Sequence, residues 1–294
     1  MTRTAPRPLP ISAYLPWLDR AGRVSPFKCA VLALLLLPGI YVAAQLATGG
    51  YARPYILANH DLGLWSIRLL FISLLITPLR KITSWPMLVP VRRMIGVASF
   101  AYALAHFLFY ALDKSLQWGV IATEIALRYY LTIGFAGLLI LLALAATSTD
   151  QMVRRLGGKR WIALHRLVYA AGALTVVHFF IQVKADVTEP IVMGGFFAWL
   201  MLYRLLAGRG TVSLPSLLML AVVLAALTAG AEGLYYHLKT GADLLRVLSA
   251  NLSLDIGLRP AWVVGGAALA MTLLAGGRTL RSKGAERRGA PARA

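Results

Sequence analysis

Long runs of apolar residues, broken by short polar and basic segments, dominate the chain from about residue 28 onward. Each run lacks the period of two of a half-buried strand and approaches the roughly 20 residues that a helix needs to cross a bilayer core. Eight such spans are predicted: about Phe27 to Ala47, Leu62 to Leu79, Met94 to Leu112, Tyr130 to Ala146, Trp161 to Val183, Ile191 to Leu206, Leu214 to Ala231 and Ala261 to Ala275. The first has a basic flank and ends near Val42, Ala43 and Ala44, so it also has features of a cleaved signal peptide; its length favours a retained span. The fold class predicted is an all-α integral membrane protein, a helical bundle of six core spans plus two C-terminal ones. No internal repeat is visible.

Polar residues set the orientation. By alternation, the N-terminus, the loops after spans two, four and six, and the C-terminus share one side. That side carries 22 of the 30 Lys and Arg residues and three acidic ones, against seven basic and eight acidic on the other. The positive-inside rule then places both termini in the cytoplasm. The same loops account for the net charge of +19, and no basic stripe with interleaved aromatics accompanies it, so nucleic acid is excluded as a partner and membrane lipid is the surrounding medium. The single cysteine, Cys29, excludes an internal disulfide, a CxxC pair and an iron-sulfur cluster held by one chain.

The domain organisation expected is a cytoplasmic tail over 1–27 with an interfacial stretch near Tyr14 and Trp17, a core over 28–207, a two-span extension over 208–275 and a basic cytoplasmic tail over 276–294. Within the extension, residues 232–260 form an outer segment, where Leu244, Leu245, Val247, Leu248 and Leu252 have the spacing of a helix on the membrane surface.

Ionisable side chains inside the spans are the candidates for chemistry, because hydrocarbon satisfies none of their polar atoms. His106 lies in span three, His165 and His178 in span five, and both spans run outward from the cytoplasm. His106 is 14 residues beyond Arg92 and His178 is 13 beyond His165, which puts His106 and His178 at similar outer levels, and Arg92 and His165 at similar inner levels. Two facing imidazoles at one level can supply both axial ligands of a b-type haem. The alternative for this pair is buried histidines bonded to helix carbonyls. His165 has no histidine at its depth, and Arg92 is its nearest candidate partner by register, to ligate a second haem, neutralise a propionate or only anchor the helix; His165 itself reads as a ligand or as a solvated, headgroup-facing residue. Arg68, two turns into span two, is expected to face the bundle and an anionic group such as a propionate, or to snorkel. His60, before span two, and His237, in an outer loop, read as interfacial.

Four segments together carry a family resemblance: LGLWSIRLLFISLLITPLR (62–80), VRRMIGVASFAYALAHFLFYAL (91–112), LALAATSTDQMVRRLGGKRWIALHRLVYAAGALTVVHFFIQVK (142–184) and the span that follows. Over about 28–207 the chain resembles the haem-binding membrane subunits of periplasmic methionine sulfoxide reductase systems, the MsrQ or YedZ family, within the ferric reductase-like transmembrane superfamily. The resemblance implies a bacterial inner-membrane electron conduit that takes electrons from quinol or a cytosolic flavin reductase. It would deliver them to a periplasmic molybdopterin-containing catalytic subunit that repairs oxidised proteins. It implies haem b, one or two per chain, and FMN in some members. His106, His165 and His178 match the family's haem histidines, and Arg92 an arginine at the same register. Residues 212–294 depart from the core family pattern.

Three rival functions remain open. A stand-alone ferric or cytochrome b561-like reductase of the ferric type would need a flavin and nicotinamide domain, for which the short tail after span eight is too small. A histidine-dependent transporter would be colourless, and a scaffold would tolerate apolar replacement of the histidines.

Overall fold

Apolar length, helix-start residues and proline placement together dictate the helices of a computed structural model of the chain, which describes residues 15–19, 21–183, 186–210, 212–253 and 257–289, with backbone alone over 280–289. Tyr14, most of the expected N-terminal tail and the end of the C-terminal tail lie outside the described residues. Those residues form α1 (Pro26–Ala47), α2 (Pro54–Thr83), α3 (Leu88–Asp113), α4 (Trp118–Leu127), α5 (Tyr129–Ala146) and α6 (Asp150–Leu156). They continue as α7 (Gly158–His165), α8 (Leu167–Gln182), α9 (Thr188–Gly208), α10 (Leu214–Thr240), α11 (Leu244–Ala250) and α12 (Pro260–Gly289). No strand occurs among them, and eight stretches are long and apolar enough to cross a membrane, α7 and α8 together making one of these. The protein is a multi-pass, all-helical membrane protein.

Helix starts follow the capping chemistry of the sequence. Ser25, Thr149, Ser213 and Asp243 accept hydrogen bonds from the first-turn amides of Lys28, Met152, Ser216 and Arg246, and Pro26 and Pro215 occupy first-turn positions where no amide is needed. Several helices outrun the spans read from hydropathy, since their polar ends stay helical. His60 therefore lies within α2 rather than before it, and His237 lies in the last turn of α10 rather than in a loop. Arg166 separates α7 from α8, dividing the span read as one helix.

The chain divides into two compact units, the first drawn from the described residues up to 70, 90–127 and 138–169, the second from 71–89, 128–137 and 170 onward. In the first, α2 and α3 cross through a reciprocal serine pair. Ser66 donates to the carbonyl of Ser99 at 3.0 Å and Ser99 to that of Ser66 at 2.9 Å, both side chains buried. Small residues let helix backbones approach this closely in a membrane. Tyr102 of α3 enters the ladder of α1 just beside Pro38: its hydroxyl accepts from the Gly39 amide at 2.8 Å and donates to the Leu35 carbonyl at 2.7 Å, bridging two groups that an undisturbed helix would pair directly. Glu124 ties α4 to the end of α3 through Tyr110 and Lys114.

In the second unit, a side chain on Gly195 of α9 would meet Val264 of α12 at 2.7 Å and Thr228 of α10 at 2.9 Å, so the three helices close on a residue without a Cβ. Arg204 donates to the carbonyls of Leu200 and Leu74, turning inward rather than to a loop. The segment after α10 contains the expected short helix, α11, but the leucines there divide: Leu244 and Leu248 pack on Gly233 of α10, whereas Leu245 and Leu252 are exposed. Below it sits Glu232, whose side chain is 1% exposed; Asn251 donates to its Oε2 at 3.0 Å and Arg259 approaches Oε1 at 3.6 Å.

Candidate functional site

His106 and His178 are held in the same way, each within its own unit. In the first, His106 of α3 turns Nδ1 to the backbone carbonyl of Asn59 in α2 at 2.7 Å. In the second, His178 of α8 turns Nδ1 to the carbonyl of Tyr130 in α5 at 2.8 Å. A carbonyl only accepts, so Nδ1 carries the proton in both rings, and a neutral imidazole then has its lone pair on Nε2. That is the tautomer of an Nε2 metal ligand whose other nitrogen is fixed by an outer partner. Asn59 closes the first arrangement by donating from Nδ2 to the backbone carbonyl of His106 at 2.6 Å.

A glycine makes room for each ring. A Cβ built on Gly63 would lie 2.7 Å from Nδ1 and 3.0 Å from Cε1 of His106, and one on Gly134 would lie 2.7 Å from the same two atoms of His178. Each glycine stands one turn after the residue whose carbonyl accepts from the ring. Asn59 and Gly63 precede Tyr130 and Gly134 by 71 residues, and His106 precedes His178 by 72. The chain thus carries a repeat of local geometry that the sequence reading did not show. Its visible trace is slight: a histidine followed by phenylalanine in both α3 and α8, and a helix-weakening glycine near the start of α2 and α5.

His165, at the end of α7, is built differently. Its ring stacks on Trp161 with centroids 3.8 Å apart, Nδ1 faces the Trp161 carbonyl at 3.1 Å, and Nε2 faces the Ser148 hydroxyl at 3.4 Å. Trp161 donates from its indole to the carbonyl of Thr147 at 2.9 Å, so the ring pair is fastened to the end of α5. Both ring nitrogens of His165 therefore face polar protein groups. Arg92 and Arg93 stand near enough for their charges to bear on it, and Arg93 pairs with Asp150. Arg92 and His165, expected at similar depth from their register, lie in the same unit.

Arg68 is half-buried, with its guanidinium carbon 5.3 Å from the ring centre of Trp65. His60 is exposed beside Asp61, and His237 caps its helix end by facing the carbonyl of Ala242, so neither is held as His106 and His178 are. A cavity of about 720 Å³ in the second unit is lined by Lys81, Tyr203, Leu214 and Arg278 among others, and His178 has no part in it. No cluster of three or more His, Cys, Asp or Glu side chains suited to a metal ion occurs among the described residues.

Comparison with known proteins shows the family. Residues 62–176, which contain Gly63, His106, Gly134 and His165, match the family described as ferric reductase like transmembrane component. The protein-methionine-sulfoxide reductase heme-binding subunit MsrQ of Rhodospirillum rubrum is 43% identical over 188 residues, 64% of this chain and 88% of that protein. The chain belongs to the MsrQ family. Members from Caulobacter vibrioides and Azospira oryzae are 40% and 38% identical, over 63% and 62% of this chain and 91% and 79% of theirs. More than a third of this MsrQ-family chain therefore lies outside each of these matches. No solved structure matches it.

Proposed function

We propose that the protein is the haem b electron-transfer membrane subunit of a methionine sulfoxide reductase system, with His106 and His178 as the two axial ligands of one haem. The observation that carries this reading is the shared setting of the two imidazoles, each with Nδ1–H committed to a backbone carbonyl and the lone pair on Nε2. Bis-imidazole ligation needs two nitrogen donors of that kind. A haem held there supplies a one-electron carrier inside the bilayer.

The chain's own contribution is to fix the donor atoms and the charges around them. Asn59 and Tyr130 hold the imidazole rings through their carbonyls, and the half-buried Arg68 is suited to an anionic carboxylate such as a propionate. His165, with both nitrogens turned to protein groups, anchors α7 on α5 in this reading, with Arg92 keeping that end electropositive. Basic loops orient the bundle with both termini in the cytoplasm of a bacterial cell, in its inner membrane. Electrons enter from quinol or a reduced flavin carrier and leave to a periplasmic molybdopterin-containing catalytic subunit, where the sulfoxide is reduced. The core occupies about 28–207, and the extension over 208–275 is an addition to it.

The testing experiment is electron paramagnetic resonance of the oxidised, purified protein. A low-spin ferric signal of bis-imidazole type, absent from both His106→Ala and His178→Ala, is expected. A wild-type preparation that binds haem with only a high-spin, singly ligated signal would overturn the ligand assignment.

A further inference from the structure

The paired glycines carry an inference beyond the ligands themselves, and it rests on the haem reading above. We infer that Gly63 and Gly134 are positioning residues for the two haem-ligating imidazoles: each leaves room for a histidine ring to lie against the neighbouring helix with Nδ1 on a carbonyl, the arrangement in which Nε2 is the metal donor.

Three observations support this. The clash is severe and specific. Real Cβ atoms do not approach other heavy atoms to 2.7 Å, and at both sites what they would meet is the imidazole, through Nδ1 and Cε1. A methyl there forces the ring to shift, and because Nδ1 is 2.7 to 2.8 Å from its acceptor, retreat from the methyl disturbs that bond. The accepting carbonyl is also special. In a regular helix the carbonyl of Asn59 or Tyr130 already accepts from the amide four residues on, which is the amide of Gly63 or Gly134 itself. The ring uses the second lone pair of that oxygen, and reaches it across the bare face of the glycine. Finally, the device occurs twice, in separate units, with the same atoms and the same one-turn spacing, although the residue supplying the carbonyl differs, asparagine in one and tyrosine in the other. The glycine, the carbonyl and the histidine are what the two copies share.

The chemical consequence follows from the bond that the glycines protect. An Nδ1–H donated to a carbonyl makes Nε2 more basic and fixes the plane of the ring, and outer partners of this kind typically change metal affinity about 10- to 100-fold when lost. Stronger donation from the imidazoles favours the ferric state, so disturbing either bond is expected to raise the midpoint potential.

Gly63→Ala and Gly134→Ala test this beside two controls. Gly137→Ala lies on the same helix as Gly134, and its methyl would make ordinary contacts at 3.7 Å or more; Gly96→Ala lies on the same helix as His106, with nothing within 4 Å. Haem affinity should fall about 10- to 100-fold in each of the first two variants, with a shifted low-spin signal and a higher midpoint potential in the haem that remains. The controls should keep wild-type values. Nitrogen-15 magnetic resonance of haem-free protein should show Nδ1–H protonation of His106 and His178 in the wild type, lost at the corresponding ring in each glycine variant. If a glycine variant fails to fold, adding His106→Ala to Gly63→Ala, or His178→Ala to Gly134→Ala, should restore folding, because the methyl then meets no ring. Wild-type affinity, spectrum and potential in both glycine variants would overturn the inference, as would a double variant that still fails to fold. A colourless wild type would overturn the haem reading alone, and the nitrogen-15 experiment would still decide what the glycines do to the rings.

Discussion

Replacing Arg259 by methionine should destabilise the C-terminal extension by about 3 kcal/mol, a magnitude that follows from how Glu232 is buried. Glu232 lies in α10 with 1% of its side chain exposed, and its Oε1 has Arg259 Nη1 at 3.6 Å and no hydrogen-bond donor. Its Oε2 accepts from Asn251 at 3.0 Å, and the carbonyl of Asn251 accepts from the indole of Trp262 at 2.7 Å, so one carboxylate gathers α10, the end of α11 and the start of α12. Breaking a buried ion pair from one side typically costs about 3 to 5 kcal/mol, because the charge left behind has neither water nor a partner. The 3.6 Å separation and the 24% exposure of Arg259 argue for the lower end. The assay is a double-mutant cycle of Arg259→Met and Glu232→Gln, read by denaturant unfolding in detergent. Each single change should destabilise, and the pair should cost less than their sum by more than about 1 kcal/mol. Effects additive to within about 0.5 kcal/mol would show that the two charges do not stabilise one another, and the reasoning would fail.

Other outcomes follow from other elements. Tyr102→Phe should cost about 1 to 3 kcal/mol in the same assay, since the amide of Gly39 and the carbonyl of Leu35 lose the hydroxyl that bridges them beside Pro38. Asp186, in the loop between α8 and α9, has its carboxyl held below the ordinary value of 3.8 by hydrogen bonds from the side chain and backbone of Thr188. Its contribution to stability is therefore present above the unfolded value and is lost as pH falls through the lowered folded one. Thr188→Val should raise the Asp186 midpoint toward 3.8 in a magnetic resonance titration. His165→Ala should preserve the low-spin bis-imidazole signal while loosening α7 from α5, visible as faster amide exchange across Gly158 to Leu164.

The spanning helices were readable from the sequence because bilayer thickness imposes a length that apolar runs must meet; the short α4 and α6 were not, being too short to meet it, and Thr149, which reads as the polar end of the preceding span, caps the start of α6. The helix ends were less readable. Residues 232–240 of α10 look polar enough for a loop, yet Glu232 is buried with partners supplied 19 and 27 residues later, which no local pattern discloses. Histidines inside apolar spans were readable as candidates for the same reason that they are costly there. Their carbonyl partners, Asn59 and Tyr130, and the glycines that admit the rings were not, because each contact joins residues 43 to 48 positions apart on different helices. Bonding to helix carbonyls was the sequence-based alternative to haem ligation at His106 and His178, and the structure shows such a bond at Nδ1 of each ring.

Haem content per chain, measured as the pyridine haemochrome of purified wild type and of the His106→Ala, His178→Ala and His165→Ala variants, tests the central assignment most directly. One haem per wild-type chain is expected, with content abolished in the first two variants and retained in the third. A wild type without haem, or full content in either His106→Ala or His178→Ala, would contradict it.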